Sequence, residues 1–198
     1  MISGLIYDPN DAELLRLRTL AHKLSNAYNR LDEDSPRRQK ILSKLLPNGN
    51  GVYLQGPVYF DYGLFTTFGK NCYANFNLTV LDCCPVTVGD NVFIGSGVSI
   101  VTPVHPLLPG ERNMYVNDKG VLTDREYAKP IVIGSDCWIA SNVTICGGVT
   151  IGRGCVIGAG SVVTRDIPDG TFAVGNPCRV VRKLTEADSV YLKKNLWK

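Results

Sequence analysis

The chain is short of histidine before anything else: two in 198 residues, beside two methionines and two tryptophans. It has no apolar run of about 18 residues, so no membrane-spanning helix is expected. The opening MISGLIYDPNDAELLRLR lacks a basic stretch leading into an apolar one, and no secretory leader is read there. The formal net charge of +3 is too mild for a nucleic-acid binder, which carries a dense basic stripe. The seven cysteines are odd in number, include the vicinal pair Cys83-Cys84, and form no C-x-x-C pairs at zinc-ribbon spacing. Buried reduced thiols in a cytoplasmic protein are expected.

What is present fits one folded domain with a small appendage: 44% hydrophobic and 20% charged residues over 198 positions. Residues 8–31 read as an amphipathic helix, with Asp8 as cap, Pro9 in the first turn, and Leu14, Leu17, Leu20/Ala21, Leu24 and Tyr28 on one face. Ser35-Pro36 opens a second helix with Ile41, Leu42, Leu45 and Leu46, ended by Pro47-Asn48-Gly49. A helical hairpin over 1–50 follows, and His22 inside it reads as a packing or surface residue.

From about residue 58 the period changes to six. Ile133, Ile139, Ile145, Ile151, Ile157 and Val163 recur without exception, each usually followed by a small residue. Phe68, Ala74 and Val80 keep the same beat, then Val88, Ile94 and Ile100 after a two-residue slip. Six matches neither a helix nor an alternating sandwich strand. It is the period of hexapeptide β-helices, whose short strands turn a corner every six residues. The expected solenoid covers 58–184, interrupted by an excursion over about 103–129, with 185–198 as a C-terminal cap. His105 sits where the excursion begins, in Val104-His105-Pro106.

The segments VYFDYG (58–63), YANFNLTVLDCCPVTVGDN (73–91), HPLLPGER (105–112), KPIVIGSDCWIAS (129–141), VIGAGSVVTRDIPDG (156–170) and GNPCRVVRKL (175–184) together resemble the maltose/galactoside O-acetyltransferases, a family that includes nodulation-type sugar acetyltransferases. The likeness covers nearly the whole chain. It implies a left-handed parallel β-helix of about 18 residues per coil, acetyl-CoA as co-substrate, and a homotrimer with sites between neighbouring prisms. The family's catalytic histidine falls on His105.

The chemistry asks for the same residue independently. An alcohol is a poor nucleophile while protonated, and an imidazole is the side chain best suited to take its proton near neutral pH. Glu126 is expected to orient the other ring nitrogen. Asn75 and the backbone N–H of Ser141 are candidate oxyanion donors, with Asn75 also near the acceptor. Asp61 and Asp82, and less directly Asp8, are candidate acceptors for sugar hydroxyls. The LDCCP string resembles the maltose type, whereas galactoside types carry two adjacent acids at Asp82-Cys83; glucose or maltose is the expected acceptor.

Ser141 and Ala159, 18 residues apart, should stack on successive coils as a groove for pantetheine. Thr164 and Arg165 lie just beyond, and Arg179 and Arg182 suit the phosphates of coenzyme A. No metal is expected: a β-helical zinc enzyme needs three histidines per ion, more than the chain contains. The competing readings are an antibiotic acetyltransferase of the same fold and a non-catalytic solenoid.

Overall fold

The computed structural model describes residues 1–49 and 51–197. Two helices, Ala12–Asn29 (α1) and Pro36–Leu45 (α2), precede a parallel β-helix whose short strands fall on three faces. The first face stacks Val58–Phe60, Leu78–Leu81, Ser99–Val101, Thr144–Cys146 and Val162–Val163. The second stacks Thr66–Phe68, Val86–Val88, Ile131–Ile133 and Thr150–Ile151. The third runs from Tyr53–Leu54 through Tyr73–Ala74, Phe93–Ile94, Trp138–Ile139 and Val156–Ile157 to Thr171–Val174. The solenoid thus begins at Tyr53, five residues before the expected start.

The six-residue anchors all point inward: Ile133, Ile139, Ile145, Ile151, Ile157 and Val163 are buried, as are Phe68, Ala74, Val80, Val88, Ile94 and Ile100. So are the residues two before them, among them Ile131, Cys137, Val143, Val149, Cys155 and Ser161. Three strands per coil convert the hexad into an 18-residue coil, visible in the register Trp138↔Val156 and Thr144↔Val162. Corners need a left-handed backbone residue, which asparagine tolerates better than most. Asn71, Asn91 and Asp136 fill three stacked corners at positive φ, and their side chains hydrogen-bond into a ladder (Asn71 to Asn91 3.1 Å, Asn91 to Asp136 2.9 Å).

All seven cysteines are unpaired, and six are buried. Cys72, Cys137 and Cys155 have a shared task. Their thiols donate at 3.0–3.1 Å to the carbonyls of Gly89, Gly152 and Pro168 on the adjoining coil. They satisfy corner acceptors, a task that Cys155 shares with the Thr171 hydroxyl, which donates to the Pro168 carbonyl at 2.8 Å.

The helical hairpin plugs the N-terminal end. Leu42, Leu45 and Leu46 join the same core as Leu54, Phe60 and Phe68. Asn29 exchanges two hydrogen bonds with Val58, and Tyr28 donates to the Leu54 carbonyl, pinning α1 beside the first coil. The start of α1 differs from the expectation. Its cap is Asp11, which accepts from the N–H groups of Glu13 and Leu14, because the carboxylate of Asp8 is engaged elsewhere.

The C-terminal end also differs. Strand Arg179–Lys183 returns antiparallel along Thr171–Val174, after a cis Asn176–Pro177 bond, and ends the third sheet. Its arginines and lysine blunt an edge that would otherwise invite pairing. The predicted cap, residues 185–197, is three exposed single-turn helices that bury no side chain; Arg182 holds them through Asp188. The expected limits at residues 50 and 198 lie outside the described residues. Among these, no helix is long and apolar enough to cross a membrane.

Candidate active site

Every departure from the six-residue beat falls on one edge of the prism, between the first and second faces. Anchor spacing across that edge is eight from Phe60 to Phe68, eight from Val80 to Val88, 33 from Ile100 to Ile133, and four from Val163 to Ile167. The first two bulges are held by Asp82, which is completely buried. It accepts from the N–H groups of Tyr62, Gly63 and Phe65 and from the Thr66 hydroxyl. Burial pushes its pKa up, against these donors. The expected sugar-binding role of Asp82 is therefore corrected: its oxygens are used internally and no sugar hydroxyl reaches them.

The third departure is the excursion over 103–129. It leaves and rejoins the prism as a two-stranded ribbon, Val104 opposite Tyr127 and Pro103 opposite Ala128. The N-terminal segment ties it down. Tyr7 and Glu126 pair as an antiparallel bridge, and Tyr7 also donates its hydroxyl to Glu126 Oε2 at 2.5 Å. Asp8 accepts from Thr123 Oγ1 at 2.5 Å and from Asn117 Nδ2 at 2.8 Å. The Thr123 hydrogen bond is the main cause of a pKa below the usual carboxylate range. Asp8 is thus not the helix cap but a clip of the excursion, and it also accepts from the Asn10 N–H at 2.8 Å.

His105 lies at the mouth of this ribbon, about half exposed. Its Nδ1 stands 3.3 Å from Asp124 Oδ2 and its Nε2 3.7 Å from Glu126 Oε1. Glu126 was the expected partner; Asp124 is the nearer one and was missed. An extended run puts residues two apart on one side, so the alternation Asp124-Arg125-Glu126 was the available signal. These three side chains each bring a ligand atom within 4.8 Å of the others. One imidazole and two carboxylates are also a donor set of the kind a divalent cation takes.

An open cleft of about 560 Å³ runs from His105, Asp124 and Glu126 past Pro103, Val101, Leu81 and Cys83 to Asp61 and to Arg18 and His22 of α1. His22 Nε2 faces Asp61 Oδ1 at 3.5 Å. Sequence reasoning had set His22 aside; its spacing of four from Arg18 was the only hint that both share a helix face. Burial pushes the Cys83 thiol up to about 12. It also raises Tyr7, aided by Cys83 and Glu126. Both groups keep their protons at neutral pH, so the cleft holds no thiolate.

The remaining predicted residues lie elsewhere. Asn75, Ser141 and Ala159 follow strands of the third face, along the edge between the third and first faces. Ser141 and Ala159 stack as expected, with Gly160 N–H donating to the Ser141 carbonyl at 2.9 Å. Ser96 extends the row, its hydroxyl donating to Ser141 Oγ at 3.2 Å. A Cβ on Gly95 would sit 2.6 Å from Ser141 N, so only glycine lets these coils meet. The amide of Asn75 is oriented by its Oδ1, which accepts from Phe76 N–H at 2.7 Å. Among the described residues its Nδ2 and the Ser141 N–H donate to nothing.

Arg179 pairs in register with Val174, at the end of this edge. From Asn75 to Val174 the edge climbs four coil steps, about 19 Å at the usual strand spacing. Arg179 uses one nitrogen on the Cys178 carbonyl. Arg182 closes its fork on Asp188 at 2.8 and 2.6 Å; its predicted phosphate contact is corrected to a tether of the C-terminal segment. Thr164 and Arg165 follow a first-face strand and sit on the same edge as His105, not beside Ser141 and Ala159. One chain therefore splits the predicted set over two opposite edges of its first face. Beside Asn75 the third face carries a rank of outward aromatics absent from the prediction: Tyr53 and Tyr73 stack 5.9 Å apart, with Phe93 6.2 Å from Tyr73.

The chain matches known proteins along most of its length. The family model described as the maltose acetyltransferase hexapeptide capping motif covers residues 1–49, and that for the bacterial transferase hexapeptide (six repeats) covers 130–165. Galactoside O-acetyltransferase of Escherichia coli (strain K12) is 38% identical over 182 residues, spanning 91% of this chain and 84% of that protein. The crystal structure of a maltose O-acetyltransferase from Clostridium difficile 630 aligns with a TM-score of 0.83 at 39% identity, over 93% of this chain and 95% of the other. A galactoside acetyltransferase in complex with coenzyme A aligns with a TM-score of 0.85 at 37% identity, over 94% and 90%. With its β-helix and interrupted edge, the protein is an acetyltransferase of the hexapeptide-repeat class. It belongs to the galactoside/maltose O-acetyltransferase family within that class.

Proposed function

We propose that the protein transfers an acetyl group from acetyl-CoA to a hydroxyl of a small sugar, glucose or maltose in preference to a galactoside, with His105 as general base. The observation that carries this reading is an imidazole set between two carboxylates on the wall of an open cleft. Asp124 holds the proton-bearing Nδ1. Nε2 is then free to take the acceptor proton, with Glu126 beyond hydrogen-bond range and held back by Tyr7. The sugar oxygen attacks the thioester carbonyl as its proton passes to Nε2. The tetrahedral oxyanion accepts hydrogen bonds from Asn75 Nδ2 and Ser141 N–H. Collapse breaks the carbon–sulfur bond, and the coenzyme A thiolate recovers the proton from His105. The neutral Cys83 thiol argues against an acetyl-enzyme intermediate, since the thiolate is the nucleophilic form.

Because His105 and Asn75 occupy opposite edges, the working site takes one edge from each of two protomers in a homotrimer. Across the junction, Thr164 and Arg165 of one protomer meet the Ser141–Ala159 groove and Arg179 of the next, where acetyl-CoA lies. The aromatic rank beside Asn75 faces the neighbour's cleft, and Asp61 accepts from the bound sugar. No metal enters the reaction, and buried thiols suit a cytoplasmic location.

The test is mass spectrometry of a sugar panel after incubation with acetyl-CoA. A gain of one acetyl on glucose or maltose is expected. Acetylation confined to antibiotics, or no transfer to any sugar, overturns the reading.

A further inference from the structure

Beyond the His22–Asp61 pair the cleft continues into a second pocket of about 330 Å³, between α1 and the first strand of the first face. Its wall includes His22, Ser25 and Asn26 from α1, Tyr59 and Asp61 from the strand and its corner, and Leu81. Ser25 is 2% exposed, yet its hydroxyl has no hydrogen-bond partner. A helical serine normally returns its hydroxyl to the preceding turn, and a buried hydroxyl without a partner carries a desolvation cost. Ser25 is one of the residues around the pocket. Tyr59 is the exposed aromatic ring of the wall.

The small volume, at the low end for ligand pockets, takes one ring. An aromatic surface ringed by an amide, an imidazole and a carboxylate, with the unpartnered Ser25 hydroxyl buried behind them, matches a pyranose, which offers apolar C–H faces and hydroxyl edges. Since His22 and Asp61 belong to both pockets, a ring here is linked to the one at His105. We infer that this pocket is a subsite for the second ring of a disaccharide or longer acceptor. The inference rests on the proposed sugar acceptor and extends it: specificity for chain length resides in the helical hairpin.

Calorimetric titration of the full-length protein with glucose and with maltose tests it. Wild type should bind maltose at least about tenfold tighter than glucose. Ser25→Ala and Tyr59→Ala should each weaken maltose about 3- to 10-fold, one hydrogen bond or one aromatic contact, leaving glucose unchanged. Ser25→Ala removes a hydroxyl that no protein group uses, so its melting temperature should not fall, which separates lost binding from lost folding. Equal binding of the two sugars, or maltose binding indifferent to both substitutions, overturns the subsite. If the titrations behave as expected but no acetyl is transferred, the subsite stands and the acetyl-acceptor reading falls; transfer to glucose and maltose alike with flat titrations has the opposite meaning.

Discussion

At the scale of single residues, chemistry and architecture are divided between groups that look alike in sequence. His105→Ala should lower turnover about 10²- to 10⁴-fold, the usual worth of a general base, while gel filtration shows an unchanged assembly. Retention of near-full activity rejects the mechanism. Asp82 and Asp61 read equally well as sugar ligands, but only burial separates them. Asp82 answers four donors in the core, so Asp82→Asn places an amide N–H₂ against them. A loss of about 2–4 kcal/mol is expected, read as a drop of roughly 5–15 °C in melting temperature. The thiol of Cys83 makes a further prediction: protein mixed with acetyl-CoA in the absence of sugar should show no covalent acetyl adduct by intact-mass measurement.

At the scale of elements, the excursion works because it is fastened at both ends. The ribbon at Pro103–Val104 and Tyr127–Ala128 anchors it to the prism, and Tyr7 and Asp8 anchor it to the N-terminal segment. The Asp8 carboxylate has a folded pKa below its unfolded one. Its contribution is therefore complete above about pH 4 and is lost as the pH falls through the lowered value. Limited proteolysis should cut within 107–122 faster in Asp8→Ala than in wild type at neutral pH, with the two converging in strong acid. Equal cleavage at neutral pH would show that Asp8 does not hold the loop. The hexad anchors, the hairpin and the place of the excursion were readable beforehand, since each rests on local periodicity or on Pro and Gly signals. The cap at Asp11 and the open form of 185–197 were not. Both depend on partners 109 residues away or more (Asp8 with Asn117) or on the pairing of strand Arg179–Lys183.

At the scale of the whole molecule, the two edges of the first face give the mixed-assembly experiment. If the proposed homotrimer forms its sites between protomers, the His105→Ala and Asn75→Ala proteins should each be inactive alone. Co-expressed, they should regain up to about a quarter of wild-type activity, because random assortment in a cyclic trimer places an intact histidine edge against an intact asparagine edge at one junction in four. No recovery on mixing would mean that the two residues do not complete one site across a junction.

The hexad period by itself determined the solenoid, because a residue every sixth position can be buried only where the chain turns a corner at that interval. It also marked His105, the rare imidazole at the one large break. Tertiary structure alone told the carboxylates apart. Asp8, Asp61, Asp82, Asp124 and Glu126 carry the same charge on similar stems, and their roles differ through what lies opposite them: four donors in the core for Asp82, a loop to be clipped for Asp8, an imidazole for Asp124 and Glu126, and the open cleft for Asp61. Such partners are set by the stacking of coils, which no local pattern records.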